Sequence, residues 1–122
     1  MNTLHIEGSD DTPEIIFNKE TGVFEIKGRS LPEDCVEFFR PALEWIELYK
    51  KEPNPITELV LKLEYINTAS SKLIQDILLS LEKLKGTKII WCARDDDDDM
   101  EAMGHEYAEI IELPFEFKTY TT

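Results

Sequence analysis

Positively charged residues are scarce in this chain. Only 13 Lys and Arg accompany 26 Asp and Glu, which gives a formal net charge of −13 at pH 7. Such an excess of negative charge repels the phosphates of nucleic acids and anionic lipid surfaces. We therefore expect no nucleic-acid partner and no membrane partner, and the charge instead favours proteins with basic surfaces, or cations.

Long apolar runs are also missing. No segment approaches the ~20 apolar residues of a membrane-spanning helix, and the first five residues, Met-Asn-Thr-Leu-His, lack the basic stretch and apolar core of a secretion signal. The two cysteines, Cys35 and Cys92, lie among apolar neighbours without a CxxC pattern, which is typical of reduced thiols in a cytosolic protein. These features predict a cytoplasmic location.

Motifs for catalysis and metal binding are absent from the sequence. His5 and His105 have no second ligand at zinc-site spacing, and there is neither a GxSxG motif nor a glycine-rich phosphate loop. We therefore predict no zinc site, no cofactor and no active site. A small hydrolase remains an alternative, because Ser, His and Asp are all present and Thr68 or Ser70 could serve it.

The chain does contain regular strand and helix patterns. Its 122 residues, 42% of them hydrophobic, are typical of one domain, here residues 1–122. Two runs rich in β-branched and aromatic residues, 14–17 and 23–27, flank the turn formers of residues 18–22 and predict a hairpin. Residues 4–6 could form an edge strand.

Strand and helix patterns alternate after the hairpin. The helical patterns cover 32–51, 70–84 and a segment after residue 99, and the strand patterns cover 59–65, 89–93 and 113–120. Pro41 should kink or split the first helix, and the continuous apolar run at 89–93 is typical of a central strand covered on both faces. The order predicts an α/β fold: a mainly parallel or mixed sheet with an N-terminal β-hairpin and about three helices packed against it.

The first predicted helix carries more aromatic residues than one sheet face requires. Phe38, Trp45 and Tyr49 lie beside a separate apolar stripe on the same helix. One interpretation is packing beneath the hairpin, and the other is an aromatic docking surface for a partner protein.

Residues 67–72, Asn-Thr-Ala-Ser-Ser-Lys, join the clearest strand to the clearest helix. Asn67, Thr68 or Ser70 could simply cap the helix. The same free N–H groups and partial positive charge would also hold a phosphoryl group, with assistance from Lys72. A phosphate there adds about −1.5 to −2 charges, which would change any partner surface centred on the helix start.

These residues, preceded by Leu-Lys-Leu-Glu-Tyr at 61–65, resemble the signature of the SiaC family of bacterial regulatory phosphoproteins. Similar segments lie at 11–15, 20–26, 28–33, 41–45 and 114–117, so the resemblance covers nearly the whole chain. It implies a fold like that of STAS domains and anti-sigma-factor antagonists. It also implies that Thr68 occupies the position phosphorylated by a partner kinase.

The resemblance further implies a set of partners. In this family the unphosphorylated protein binds and activates a diguanylate cyclase, a Ser/Thr protein kinase of the anti-sigma-factor type switches it off, and a PP2C-like phosphatase restores it. Family members can serve different output enzymes. We therefore predict a non-enzymatic switch with Thr68 as the phosphoacceptor, surrounded by a partner-binding surface of Asn67, Ala69, Ser70, Ser71 and Lys72.

A cation-binding protein is the alternative function. The consecutive aspartates that suggest it are Asp95, Asp96, Asp97, Asp98 and Asp99. This run could collect Mg²⁺ or Ca²⁺, but it lacks the alternating ligands and the glycine turn of a calcium loop. A solvated loop whose last acids favour the following helix start explains the run as well. We predict no metal site there.

Overall fold

The computed structural model describes residues 1–121, which form six strands and three helices. In chain order these are β1 (Leu4–Ile6), β2 (Glu14–Asn18), β3 (Val23–Ser30), α1 (Cys35–Tyr49), β4 (Thr57–Ile66), α2 (Thr68–Leu81), β5 (Thr87–Arg94), α3 (Asp98–Ile110) and β6 (Phe115–Tyr120). Within residues 1–121, no helix is long and apolar enough to cross a bilayer.

All six strands belong to one mixed sheet, whose spatial order follows the chain from β1 to β6. The first three strands pair antiparallel, and β3 to β6 pair parallel. The hairpin turn between β2 and β3 uses Gly22 at φ 75°, and its N–H donates to the Asn18 carbonyl at 2.9 Å. The predicted hairpin and mixed sheet are confirmed, and β1 is an edge strand.

The three helices lie on one face of the sheet. Because side chains alternate along a strand, Phe24, Leu61 and Trp91 point to the same side. Trp45 of α1 packs 5.9 Å from the Phe24 ring, and the Trp91 indole N–H donates to the Met100 carbonyl of α3 at 2.9 Å. The core beneath the helices also includes Ile74, Ile77 and Leu78 of α2.

Within residues 1–121, no helix covers the other face of the sheet, so the prediction that β5 is covered on both faces was wrong. Ile90 points to this open face and is still only 8% exposed. Beside it, Lys88 pairs with Glu58 at 3.3 Å and with Glu116 at 2.8 Å. The aliphatic stems of such side chains can cover an apolar residue while their charges remain in water. Charged neighbours within the sheet can therefore shield Ile90 without a second helical layer.

Helix α1 differs from its prediction in two ways. It begins at Cys35, after the N-cap Asp34, and it runs continuously through Pro41 to Tyr49. The expected split at Pro41 was therefore wrong. Proline removes the hydrogen bond to the carbonyl four residues earlier, that of Glu37. Both Glu37 and Pro41 are exposed, so water can satisfy that carbonyl at little cost.

The aromatic residues of α1 belong mainly to the core. Trp45 and Tyr49 are 8% and 1% exposed, and their rings stack 5.2 Å apart. The Trp45 ring lies 5.3 Å from Phe17 in the hairpin, and its indole N–H donates to the Asn2 carbonyl at 2.7 Å. Phe38 is partly buried against the same core. Packing beneath the hairpin is therefore the correct interpretation for Trp45 and Tyr49.

Candidate functional site

The parallel strands bring three helix N-termini to one edge of the sheet. Helices α1, α2 and α3 each follow the carboxyl end of a parallel strand, and ligand and recognition sites in α/β folds gather at this edge. The caps are Asp34, Asn67 and Asp97, each of which accepts a hydrogen bond from a first-turn N–H. The 67–72 segment therefore starts the middle helix of the three.

Helix α2 begins at Thr68, two residues earlier than predicted, with Asn67 as its N-cap. The Asn67 side-chain oxygen accepts a hydrogen bond from the Ser70 N–H at 2.8 Å, and its backbone carbonyl accepts from the Ser71 N–H at 3.0 Å. The Asn67 N–H donates in turn to the Ser30 carbonyl at 3.0 Å. Asn67 thus joins the end of β3 to the first turn of α2.

The three hydroxyl groups of the segment have different environments. Thr68 is exposed at the first helical position, Ser71 is half-buried and donates to the Thr68 carbonyl at 2.7 Å, and Ser70 is fully buried. Ala69 and Lys72 are exposed. Lys72 lies four residues after Thr68 and so on the same side of the helix. The structure therefore leaves Thr68 exposed and buries Ser70.

Ser70 was predicted to belong to the partner-binding surface, and its burial corrects that prediction. Its hydroxyl accepts a hydrogen bond from the Ser30 hydroxyl at 2.8 Å and lies 3.4 Å from the Cys35 sulfur. The alternative nucleophilic role for Ser70 is equally unfavourable, because a substrate cannot reach a side chain with no exposed area. Ser70 instead supports the surface from below.

The α2 start is the least negative of the three helix starts. The first turn of α1 contains Glu37 and that of α3 contains Asp98, Asp99 and Glu101, whereas the first turn of α2 has no acidic residue. Its cap, Asn67, is also neutral. The partial positive charge of this helix end is consequently uncompensated by any carboxylate of its first turn, so a phosphoryl group added there would interact favourably with it.

Helix α3 supports the same site from the side. The Tyr107 hydroxyl donates to the Ser71 carbonyl at 2.7 Å. Burial raises the pKa of Tyr107, so the hydroxyl stays protonated and remains a donor over the physiological pH range. Ser30, Cys35 and Tyr107 were not predicted as site residues, because each makes its contact across more than thirty residues of sequence and no local motif signals it.

The sequence model of the SiaC family of regulatory phosphoproteins matches residues 6–120. This chain belongs to the SiaC family. The crystal structure of apo-SiaC from Pseudomonas aeruginosa is 30% identical, with a TM-score of 0.87 over 97% of this chain and 99% of that one. The predicted family and fold are confirmed.

Two further matches to this SiaC-family chain come from the same bacterium. A crystal structure of the diguanylate cyclase SiaD in complex with its activator SiaC matches at 29% identity and a TM-score of 0.89, over 96% of this chain and 99% of the matched chain. An uncharacterized protein from Pseudomonas aeruginosa strain UCBPP-PA14 is 29% identical over 124 residues, which cover 98% of each chain. The similarity thus extends over the whole fold.

The acidic loop of this SiaC-family protein uses its carboxylates separately. Asp95 accepts from the Thr121 hydroxyl at 3.1 Å, Asp96 forms two hydrogen bonds with Arg94, and Asp97 caps α3 through the Met100 N–H at 3.0 Å. Across residues 1–121, no group of three or more His, Cys, Asp or Glu side chains is arranged to hold a metal ion. A hydrogen bond from Thr121, a local ion pair and helix capping thus engage Asp95, Asp96 and Asp97, and Asp98 and Asp99 lie in the first turn of α3, where negative charge is favourable.

Proposed function

We propose that this SiaC-family protein is a phosphorylation-controlled protein-binding switch. In this proposal the unphosphorylated chain binds and activates a diguanylate cyclase, and phosphorylation of Thr68 releases the cyclase. The cyclase is proposed by similarity to SiaC, the activator of SiaD, over nearly the full length of both chains. The structural observation that carries the proposal is the exposed Thr68 at the start of α2, whose first turn has no carboxylate.

The environments of the three hydroxyls support Thr68 as the acceptor. A kinase must bring the hydroxyl into line with the phosphate of ATP, so the acceptor must be accessible. Ser70 is buried, and the Ser71 hydroxyl is held by its bond to the Thr68 carbonyl. Thr68 is the exposed member of the three, and its helix start and Lys72 both favour the added negative charge.

The proposed partner-binding surface consists of Asn67, Thr68, Ala69, Ser71 and Lys72, with Ser70 beneath it. A phosphate at its centre adds a hydrated dianion. On binding, that dianion must be either paired or desolvated, and leaving a charge buried without a partner costs several kcal/mol. The folded chain need not change shape for the complex to dissociate, because the change in surface charge is sufficient.

The chain acts in this proposal as a substrate and a ligand, and not as an enzyme. Its kinase is of the anti-sigma-factor type, a PP2C-like phosphatase removes the phosphate, and all of them act in the cytoplasm. The absence of acidic residues from the first turn of α2 also suits the approach of ATP, whose phosphates the rest of this acidic chain repels.

Two measurements test the proposal. The purified chain is incubated with the kinase and ATP, and the modified residue is mapped by mass spectrometry, with Thr68→Ala as the blocked variant and Ser71→Ala as the matched control. We expect one phosphate on the wild type and on Ser71→Ala, and none on Thr68→Ala. Labelling of Thr68→Ala at another residue contradicts the assignment.

The second measurement addresses the output. Product formation by the cyclase is followed with no added chain, with the unphosphorylated chain and with the phosphorylated chain. We expect activation by the unphosphorylated form and by Ser71→Ala. The phosphorylated form should need an at least tenfold higher concentration for half-maximal activation, which corresponds to about 1.4 kcal/mol of lost binding. Equal activation by both forms would reject the switch.

A further inference from the structure

The last strand leaves one edge of the sheet open. On its inner side, the Pro114 carbonyl accepts a hydrogen bond from the Ile89 N–H, and the Tyr120 carbonyl accepts one from the Asp95 N–H. In a parallel pair, alternate residues of a strand bond the same neighbour. The even-numbered residues of β6 therefore face β5, while Phe115, Phe117 and Thr119 direct their N–H and C=O groups away from the sheet.

This edge has few of the usual protections against pairing. Natural edge strands are kept short, bulged, interrupted by proline, covered by another segment or given charged side chains, lysine above all. Strand β6 has the charged pair Glu116 and Lys118, whose charges have opposite signs. At the opposite edge of the sheet, β1 is only 3 residues long, whereas β6 has 6 residues without a proline or a bulge. Phe117 is 38% exposed, and its ring stacks on that of His105 with the ring centroids 4.0 Å apart. A partly exposed apolar side chain therefore lies on the edge strand.

The sequence of β6 is complementary to itself in one register. If two copies pair antiparallel about Phe117, Phe117 lies opposite Phe117 of the second copy, and Phe115 lies opposite Thr119. These are the residues whose main-chain groups point outward, so each pair can exchange both N–H···O=C bonds. In the same register Glu116 lies opposite Lys118 of the second copy, and cross-strand pairs of opposite charge are stabilising.

We propose that β6 is a self-association surface through which two copies of this chain form a continuous twelve-stranded sheet. The two-fold axis passes through the Phe117 pair, perpendicular to the sheet, so the helices of both copies lie on the same face. Glu116 and Lys118, which pair within one copy at 3.4 Å, then form two reciprocal ion pairs between copies. Net repulsion between two chains of charge −13 makes the association weak, and salt strengthens it by screening that repulsion.

The geometry leaves the proposed switch sites free. The two β6 strands run in opposite directions. The edge at which the parallel strands of one copy end therefore lies at the opposite end of the dimer from the same edge of the other copy. Each copy then presents its Thr68 at a different end, and neither lies at the shared edge. The pair is thus a divalent module that can hold two partner molecules at once, with the gain in apparent affinity that bivalent binding provides.

Complementary charge reversal tests this register. Glu116→Lys places a lysine opposite Lys118 of the second copy, and Lys118→Glu places a glutamate opposite Glu116 of the second copy. Each variant alone therefore has like charges across the edge, whereas a mixture of the two variants has opposite charges at both positions. Glu25→Lys, on the open face of β3, changes the net charge as Glu116→Lys does but lies three strands from the edge, and serves as the matched control.

Sedimentation is measured at about 0.15 M salt and at protein concentrations up to about 1 mM, where weak association is populated. We expect concentration-dependent dimers for the wild type and Glu25→Lys, at least about tenfold weaker association for each edge variant alone, and recovery in the mixture. Circular dichroism melting checks that each variant is folded. A wild type that remains monomeric, a dimer that persists in both edge variants, or a mixture that fails to recover overturns the proposal.

A second readout identifies the strand directly. Amide hydrogen exchange of Phe117 and Thr119 should slow as the wild-type concentration rises, because their outward N–H groups become bonded in the dimer. In Lys118→Glu alone this concentration dependence should disappear, and in the mixture with Glu116→Lys it should return. Dimers in which these amides exchange at the monomer rate use another surface and also overturn the proposal.

Discussion

The hydroxyl of Ser30, at the end of β3, donates a 2.8 Å hydrogen bond to the hydroxyl of Ser70 in the first turn of α2, and both side chains are fully buried. This bond fixes the start of the proposed phosphoacceptor helix against a strand that lies earlier in the chain. The Cys35 sulfur, in the first turn of α1, lies 3.4 Å from the same Ser70 oxygen. A small buried polar cluster therefore sets the position of Thr68 from beneath.

Ser70→Ala should destabilise the protein by about 1–3 kcal/mol, because it leaves the buried Ser30 hydroxyl without its partner. Ser30→Ala should cost less, since Ser70 keeps its contact with Cys35. The double variant should cost less than the sum of the two single changes, because no unpaired hydroxyl remains. Chemical denaturation of the three proteins, with Ser71→Ala as a half-buried control, measures these differences. Additive losses would contradict the coupling.

Asn67 variants should separate stability from recognition. Asn67→Ala removes the cap of α2 and should cost about 1 kcal/mol. Asn67→Asp retains the capping oxygen and adds a negative charge at the helix N-terminus, so it should equal or exceed the wild type in stability at low salt. If charge at this surface controls binding, Asn67→Asp should nevertheless bind the cyclase more weakly. Melting curves and a binding titration of the same samples check both expectations.

Much of the fold could be predicted from local pattern. The turn residues before Gly22, the alternation along β4 and the apolar spacing of α2 each reflect a regular secondary structure with one buried face, and all appear in the structure. Local pattern does not show whether helices cover a strand on one face or on both. The apolar run around Ile90 predicts a second layer of helices. In the structure Ile90 lies on the face without helices, beside ion-paired side chains of β5 and its neighbouring strands.

The site was predictable only in outline. The strand-to-helix position of residues 67–72 follows from local sequence, but the hydrogen bond between Ser70 and Ser30, 40 residues away, does not. Local sequence likewise does not distinguish Asn67 from Ser70 as the cap, because both are favoured capping residues. Helical spacing does place Ser70 on the apolar face of α2, three and four residues before Leu73 and Ile74, and this signal for its burial was not used in the prediction.

Gly104 allows α3 to approach the sheet closely. A Cβ atom at this position would overlap the indole ring of Trp91, whose N–H is bonded to the Met100 carbonyl on the same helix. Gly104→Ala should therefore cost about 1–3 kcal/mol through overpacking, although alanine favours a helix more than glycine does. Ala102→Ser, at an exposed position of α3, should have a small effect. Thermal melts compare the two, and an unchanged or raised Tm for Gly104→Ala would contradict the close packing.

The open face should show a specific pH dependence. Hydrogen bonds from Lys88, and then from Lys118, hold the pKa of Glu116 below its ordinary value. Because the folded-state pKa is lowered, the stabilisation is present above the unfolded-state pKa and is lost as the pH falls through the folded-state pKa. Lys88→Met should raise the pKa of Glu116 in an NMR titration, whereas Lys72→Met, on the helical layer, should leave it unchanged. A Glu116 pKa that does not respond to Lys88→Met would contradict the pairing.

Phosphorylation of Thr68 should leave the free protein folded and at least as stable, while it weakens partner binding. A phosphate in the first turn of α2 interacts with the partial positive charge of the helix end, an effect worth about 0.3–1 kcal/mol at low salt. Lys72, one turn later, adds to it, whereas the net charge of −13 opposes it. Lys72→Gln should reduce the gain in Tm on phosphorylation without preventing the modification. Because both interactions are electrostatic, the gain should shrink as salt is raised.

A large fall in Tm after phosphorylation would instead show that the modification disrupts the start of α2, and release of the partner would then follow from local unfolding rather than from surface charge.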